Sequence, residues 1–212
     1  MIGLDLTGGA MTAQRSDLES DVRNLVARVL DGLLDDASPA SAPTAQTSQT
    51  AARQASGEPD RCIAIGSDHG GFELKQAIKT MLIEAGWSID DCGTDSSEAC
   101  DYPVFAHAVA RRVGTGKCVA GVVVDGAGIG SAMVANKIPH VRAAACYDLS
   151  TARNSREHNR ANVLTLGAGL TGSALAWQIV QEFLNTPWGG DRHMRRVALI
   201  SEIEELYVRT DA

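Results

Sequence analysis

The sequence contains no apolar run approaching 18 residues, so nothing in it reads as a membrane span. Its first residues show no basic stretch followed by an apolar one, which argues against an export signal. The five cysteines, Cys62, Cys92, Cys100, Cys118 and Cys146, are odd in number, and no two form a C-x-x-C pair. Read alone, they indicate reduced thiols in a cytosolic setting and neither a disulfide frame nor a zinc site. The five histidines are scattered, with no pair at the i, i+4 spacing of a helical metal site, so no metal is expected. A net charge of −7 carries no electrostatic footprint for nucleic acid. Residues 36–60 lack Leu, Ile, Val, Met and every aromatic. That composition cannot bury enough apolar surface to order itself and reads as a flexible linker.

The linker divides the chain into three parts: residues 1–35, 36–60 and 61–212. In the first, Ser16-Asp17-Leu18-Glu19 has the form of a capping box. Leu18, Val22, Leu25, Val26, Val29, Leu30 and Leu33 then recur at spacings of three and four, one apolar stripe of a helix. Such a helix is marginal alone in water and needs a partner surface. A 25-residue coil would hold it roughly 25–30 Å away on average. That looseness favours docking on another protein over folding back on its own domain or on a second copy.

The third part alternates short apolar runs with helical segments. Strands are expected near 62–66, 87–89, 119–124, 141–146 and 162–167, and helices near 72–85, 101–113, 148–158, 173–185 and 194–208. This order implies an α/β fold, a five-stranded parallel sheet with helices on both faces. Its most informative stretch runs from Val122 to Met133. Three consecutive valines suit a strand buried on both faces, and Asp125 closes that strand where open α/β sheets bind their ligands. Gly126, Gly128 and Gly130 follow at every second position, ahead of a helix start. Such a turn aims backbone N–H groups at an anion. It is not the G-x-G-x-x-G dinucleotide fingerprint, so no nicotinamide cofactor is expected. A carboxylate among N–H donors suggests proton transfer beside a developing negative charge. The plainer reading of Asp125 is a helix cap.

Polar residues after successive strands should gather at one sheet edge. Asp68 and His69 follow the first strand, Asp125 the third and Asp148 the fourth. Arg153, Arg156, His158 and Asn159 come next, and Arg192, His193, Arg195 and Arg196 near the end.

Together these residues resemble the ribose-5-phosphate isomerase B and galactose-6-phosphate isomerase family. The matching motifs are Gly66-Ser67-Asp68-His69-Gly70-Gly71-Phe72, Asp101-Tyr102-Pro103, Gly126 to Lys137, Ser155-Arg156-Glu157-His158-Asn159, Ala161-Asn162-Val163-Leu164, and Gly189-Gly190-Asp191-Arg192-His193 with Arg196. The resemblance implies a Rossmann-like three-layer αβα sandwich. It also implies a homodimer or homotetramer with each site built from two subunits, and aldose–ketose isomerisation of a sugar phosphate without metal or cofactor. Ribose 5-phosphate is the expected substrate, with a hexose 6-phosphate or a non-catalytic sugar-phosphate binder as alternatives. The loop from Gly126 through Gly128, Ile129 and Gly130 would supply the anion hole, and Asn159 would help hold the polarised oxygen. His158, from the neighbouring subunit, would open the sugar ring, and Asp68 and Tyr102 would contact hydroxyls. His69, Arg192 and Arg196 would hold the phosphate. The family's common form has a cysteine base where this chain has Asp125 and a threonine where it has Ala127. Asp125 is then the only carboxylate in the glycine loop that could act as base.

The front end has a resemblance of its own. An amphipathic helix on a Pro/Ser/Ala/Thr-rich tether is similar to the encapsulation peptides of bacterial microcompartment cargo. That implies binding of a shell protein through residues 16–34, and a cytoplasmic enzyme inside the microcompartment lumen.

Overall fold

The structure is a computed structural model and describes residues 62–208; the expected helix at 16–34 and the linker at 36–60 lie outside the described residues. Five strands form one sheet: β1 (Cys62–Ser67), β2 (Ser88–Asp91), β3 (Ala120–Asp125), β4 (Ala143–Ala145) and β5 (Val163–Gly167). Their order is β2-β1-β3-β5-β4, and every pairing is parallel. The helices are α1 (Phe72–Glu84), α2 (Tyr102–Gly114), α3 (Ile129–Ala135), α4 (Leu149–Glu157), α5 (Ser173–Asn185) and α6 (Asp191–Tyr207), and a 3₁₀ turn (His69–Gly71) precedes α1.

Both faces of the sheet are covered. On one, Ile63, Ile65, Val122, Val124, Leu164 and Leu166 pack against Ile78 and Leu82 of α1 and Ile179, Val180 and Phe183 of α5. On the other, Ala64, Val123 and Val163 meet Ala106, Val109, Ala110 and Val113 of α2 and Ala135 of α3. The unbroken valines of β3 are therefore explained by position, since this central strand is buried along its full length. Two helix signals act as expected. Gly86 takes a positive φ of 82° just past α1, and Pro103 lies in the first turn of α2.

The strand order places the site. The chain steps outward from β1 to β2, then crosses back to start β3 on the other side of β1. Ligands of open α/β sheets lie in the crevice at such a reversal, outside the carboxyl ends of the strands. Here those ends are Ser67 and Asp125.

The cysteine reading needs one correction. Cys62 and Cys118 form a disulfide, with Cα atoms 4.7 Å apart. Parallel pairing of β1 with β3 makes them neighbours: Val119 N–H donates to the Cys62 carbonyl at 3.0 Å. A pair 56 residues apart leaves no motif to read. Cys92, Cys100 and Cys146 remain thiols.

Candidate active site

The glycine loop after β3 is built around Asp125. Gly128 begins α3 at φ 81°, where a β-carbon would stand 3.0 Å from the Leu166 carbonyl carbon, so only glycine fits. This turn wraps the loop over the Asp125 carboxylate, which is 5% exposed. Oδ1 accepts N–H bonds from Ala127 at 2.8 Å and from Gly128. Oδ2 accepts from the Ser131 backbone N–H at 3.1 Å and from the Ser131 hydroxyl at 2.5 Å. Asp125 thus fills part of the ring of donors that the sequence suggests for a ligand. The amides of Gly126, Ile129 and Gly130 have no acceptor among the described residues.

Neighbouring elements fix the loop from three sides. Thr165 of β5 donates its hydroxyl to the Gly128 carbonyl at 2.7 Å. The Tyr147 hydroxyl donates to the Ala127 carbonyl at 3.1 Å. Tyr102, the first residue of α2, packs against Gly130, where a β-carbon would stand 2.6 Å from its ring. A residue larger than glycine at 130 would therefore displace the tyrosine.

The turn after β1 completes this half of the site. A β-carbon on Gly70 would lie 4.0 Å from the Gly126 amide nitrogen, so the two loops are in contact. Asp68 accepts from Gly71 N–H at 3.0 Å, which fixes the turn, and its side chain is buried. His69 stays exposed. Its Nδ1 sits 3.2 Å from both the carbonyl oxygen and the amide nitrogen of Cys100, leaving Nε2 free to face solvent.

His158, Asn159, Arg192 and Arg196 are not here. His158 caps α4, which runs back against the strand direction, and Asn162 N–H bonds the Arg142 carbonyl just before β4. These residues therefore lie at the amino edge of the sheet, while Asp125 lies at its carboxyl edge. The six residues of β3 separate the two edges by roughly 17–20 Å. Expectation of a single gathering edge is corrected accordingly: the α4 helix carries its last residues away from the strand end that precedes it. Asp148 also leaves the list, since it caps α4 by accepting from Thr151 N–H at 2.8 Å.

At the amino edge the residues form a second cluster. The His158 ring stacks on His193 with centroids 4.3 Å apart and planes 14° from parallel. Asn154 Nδ2 lies 2.9 Å from His158 Nδ1, and Arg192 Nε donates to His193 Nε2 at 2.9 Å. Burial of His193 lowers its pKa, and nearby His158, Arg192 and Arg196 lower it further. Arg192 and Arg196 are exposed on the first turns of α6. Asn159 reaches Asn154 only at 3.5 Å, so its amide is loosely held.

The sequence from residue 63 to 200 matches the Ribose/Galactose Isomerase family. Ribose-5-phosphate isomerase B of Escherichia coli is 42% identical over 143 residues, which cover 68% of this chain and 96% of that protein. The chain belongs to the ribose/galactose isomerase family. Among solved structures of isomerase B members, that from Clostridium thermocellum is 46% identical, has a TM-score of 0.68, and covers 69% of this chain and 99% of its own. The Mycoplasma genitalium protein, solved with bound ribulose 5-phosphate, is 35% identical with a TM-score of 0.66, covering 68% of this chain and 96% of its own. Within this family member, Ser131, Tyr147, Thr165 and His193 join the two clusters although sequence reasoning assigned them no role. His193 and Ser131 lie within quoted motifs, beside Arg192 and in the Gly126 to Lys137 run; Tyr147 and Thr165 carry no signal until the fold sets them against the loop.

Proposed function

We propose that the chain is an aldose–ketose isomerase of sugar phosphates that interconverts ribose 5-phosphate and ribulose 5-phosphate. One observation supports this above others: the turn after β1, the start of α2 and the glycine loop meet around Asp125 in a chain of this family.

Isomerisation moves a proton between C1 and C2 through an enediolate, so it needs a base beside the carbon acid and donors beside the oxygen. Asp125 is the base, taking the C2 proton of the open-chain aldose and returning it to C1, while the proton of the C2 hydroxyl passes to O1 so that C2 becomes the carbonyl. Each of its oxygens already accepts two hydrogen bonds. Three of those donors are backbone amides fixed by the loop. The Ser131 hydroxyl turns about a single bond, and it yields its place when Oδ2 takes up the proton. Gly126, Ile129 and Gly130 supply the free amides that face the charge developing on the substrate oxygens. Asp68 and Tyr102 contact hydroxyls, and His69 donates to the phosphate.

His158 opens the ring, Asn159 steadies the polarised oxygen, and Arg192 and Arg196 grip the phosphate with planar guanidinium forks. Because these four stand at the opposite sheet edge, they serve the site of a second copy. A dimer with the carboxyl edge of each chain facing the amino edge of the other completes two sites at once.

A panel of pentose and hexose phosphates incubated with the full chain, with ketose measured, tests the reading. Fastest turnover is expected on ribose 5-phosphate. Preference for a hexose 6-phosphate would move the substrate assignment, and no turnover on any sugar would remove the enzyme. Residues 16–34 direct the protein to a microcompartment shell protein in the cytoplasm. A chain lacking residues 1–60 should keep its activity and lose co-sedimentation with shell protein, and retained co-sedimentation would defeat that role.

A further inference from the structure

One buried cation takes no part in the mechanism above. Lys75 lies on the inner stripe of α1 with Leu74, Ile78 and Leu82, and its side chain is fully buried. Its ammonium donates to Asp91 Oδ1 at 2.9 Å and to the Thr94 carbonyl at 2.7 Å, and the Phe72 ring lies 5.7 Å away. Two oxygens and an aromatic face thus use its three N–H groups. Lys79 takes the other Asp91 oxygen at 2.7 Å, and Gly93 N–H donates to Oδ1 at 3.1 Å.

All of these contacts act on one segment, the connection from β2 to α2. Its near end is stitched to β1: Cys92 N–H donates to the Ile65 carbonyl, Ser67 N–H to the Gly93 carbonyl, and Thr94 N–H to the Ser67 carbonyl. Its far end is the Cys100 backbone that holds His69 Nδ1, one residue before Asp101 and two before Tyr102. Burying an ammonium costs more in lost hydration than one ion pair reliably returns, so such a pair is poor evidence of stabilisation. Its effect lies in which arrangement it selects. We infer that Lys75 is a positioning residue: by fixing Asp91 and Thr94 it sets the 92–101 connection, and through Cys100 it orients His69 toward the substrate phosphate. This rests on the proposed phosphate role of His69.

The test uses the full chain and the Lys75→Met variant, which keeps the volume and leaves Asp91 its Lys79 and Gly93 partners. With ribose 5-phosphate, KM is expected to rise about tenfold or more while kcat stays within about threefold. The inhibition constant of inorganic phosphate should rise in parallel, and amide exchange at Cys100 should speed up. Lys79→Met, which spares the Thr94 contact, should leave all three readouts near the parent values. Asp91→Asn should give the same KM shift in smaller size, and it carries the test should Lys75→Met not fold. A folded Lys75→Met protein with parental KM and phosphate inhibition overturns the inference, as does a loss of thermal stability with Cys100 exchange unchanged. If the parent chain does not turn over ribose 5-phosphate, the functional reading fails instead, and Cys100 exchange with direct phosphate binding still decides the role of Lys75.

Discussion

Four hydrogen-bond donors converge on the two oxygens of Asp125, and that convergence sets what its replacement would do. An amide at this position turns an NH₂ group toward donors and can no longer accept a proton. Asp125→Asn is expected to lower kcat by about 10²–10⁴-fold, the usual contribution of a positioned base. It should also destabilise the fold by about 1–3 kcal/mol through the unsatisfied donors. Inhibition by inorganic phosphate should barely change, and steady-state kinetics with a thermal melt separate these effects. Cys92 and Cys146 are poor sources of a thiolate base: burial is the main cause that raises the Cys92 thiol to about 11, and burial also raises Cys146. Asp125 was legible in the sequence because a lone acid between a valine run and a glycine run is conspicuous. Ser131 was not, because its contact with Asp125 depends on how tightly Gly128 turns the chain. Lys75 was half legible, since a lysine three residues before Ile78 falls on the apolar stripe of α1.

Elements hold their places through a few identifiable contacts. Phe183 is fully buried on α5 beneath the sheet, with the Arg156 guanidinium 5.2 Å from its ring. Phe183→Ala should cost about 3–5 kcal/mol in denaturant unfolding, most of it from the cavity. The end of β2 gives a pH signature. Burial opposes ionisation of Asp91, but hydrogen bonds from Lys79, Lys75 and Gly93 N–H outweigh it and hold its pKa below the usual carboxylate range. Lys117 and Arg112 do the same for Asp90. A pKa lowered by folding adds stability that is present above the unfolded value near 3.9 and lost as pH falls through the folded value. Thermal melts from pH 6 down to pH 2 should therefore show stability falling below about pH 4, and the fall should flatten in Asp91→Asn. His193 acts in the same sense at higher pH: its lowered pKa makes protonation unfavourable to the folded state below about 6.5. The strands and most helices were readable from periodicity because buried parallel strands and amphipathic helices leave strong patterns, and α3 was announced by the glycine turn before it. The first turn of α6 was not, as the amphipathic pattern begins at Met194 while the helix begins at Asp191, directly after Gly190.

For the molecule as a whole, sequence order misled where topology ruled. Residues following a strand seemed destined for its carboxyl end, yet α4 returns His158 and Asn159 to the amino edge before β5 starts. Under the proposed two-copy arrangement, the two half-sites of one chain belong to different complete sites. Asp125→Asn and His158→Ala proteins should each be nearly inactive alone. After mixing, dissociation and reassembly, activity should recover to about a quarter of the parent, because half of the dimers are mixed and each of those holds one intact site. No recovery on demonstrated subunit exchange would put the whole site within one chain.

The Gly126–Gly130 loop is pinned by Thr165, Tyr147 and Tyr102 at once. Such bracing leaves the loop little freedom to reshape around a larger guest, so in the proposed dimer discrimination among sugars would fall to the arginines and histidines that the second copy supplies. Exchanging that remote surface between two members of the family should transfer substrate preference while the catalytic loop stays untouched.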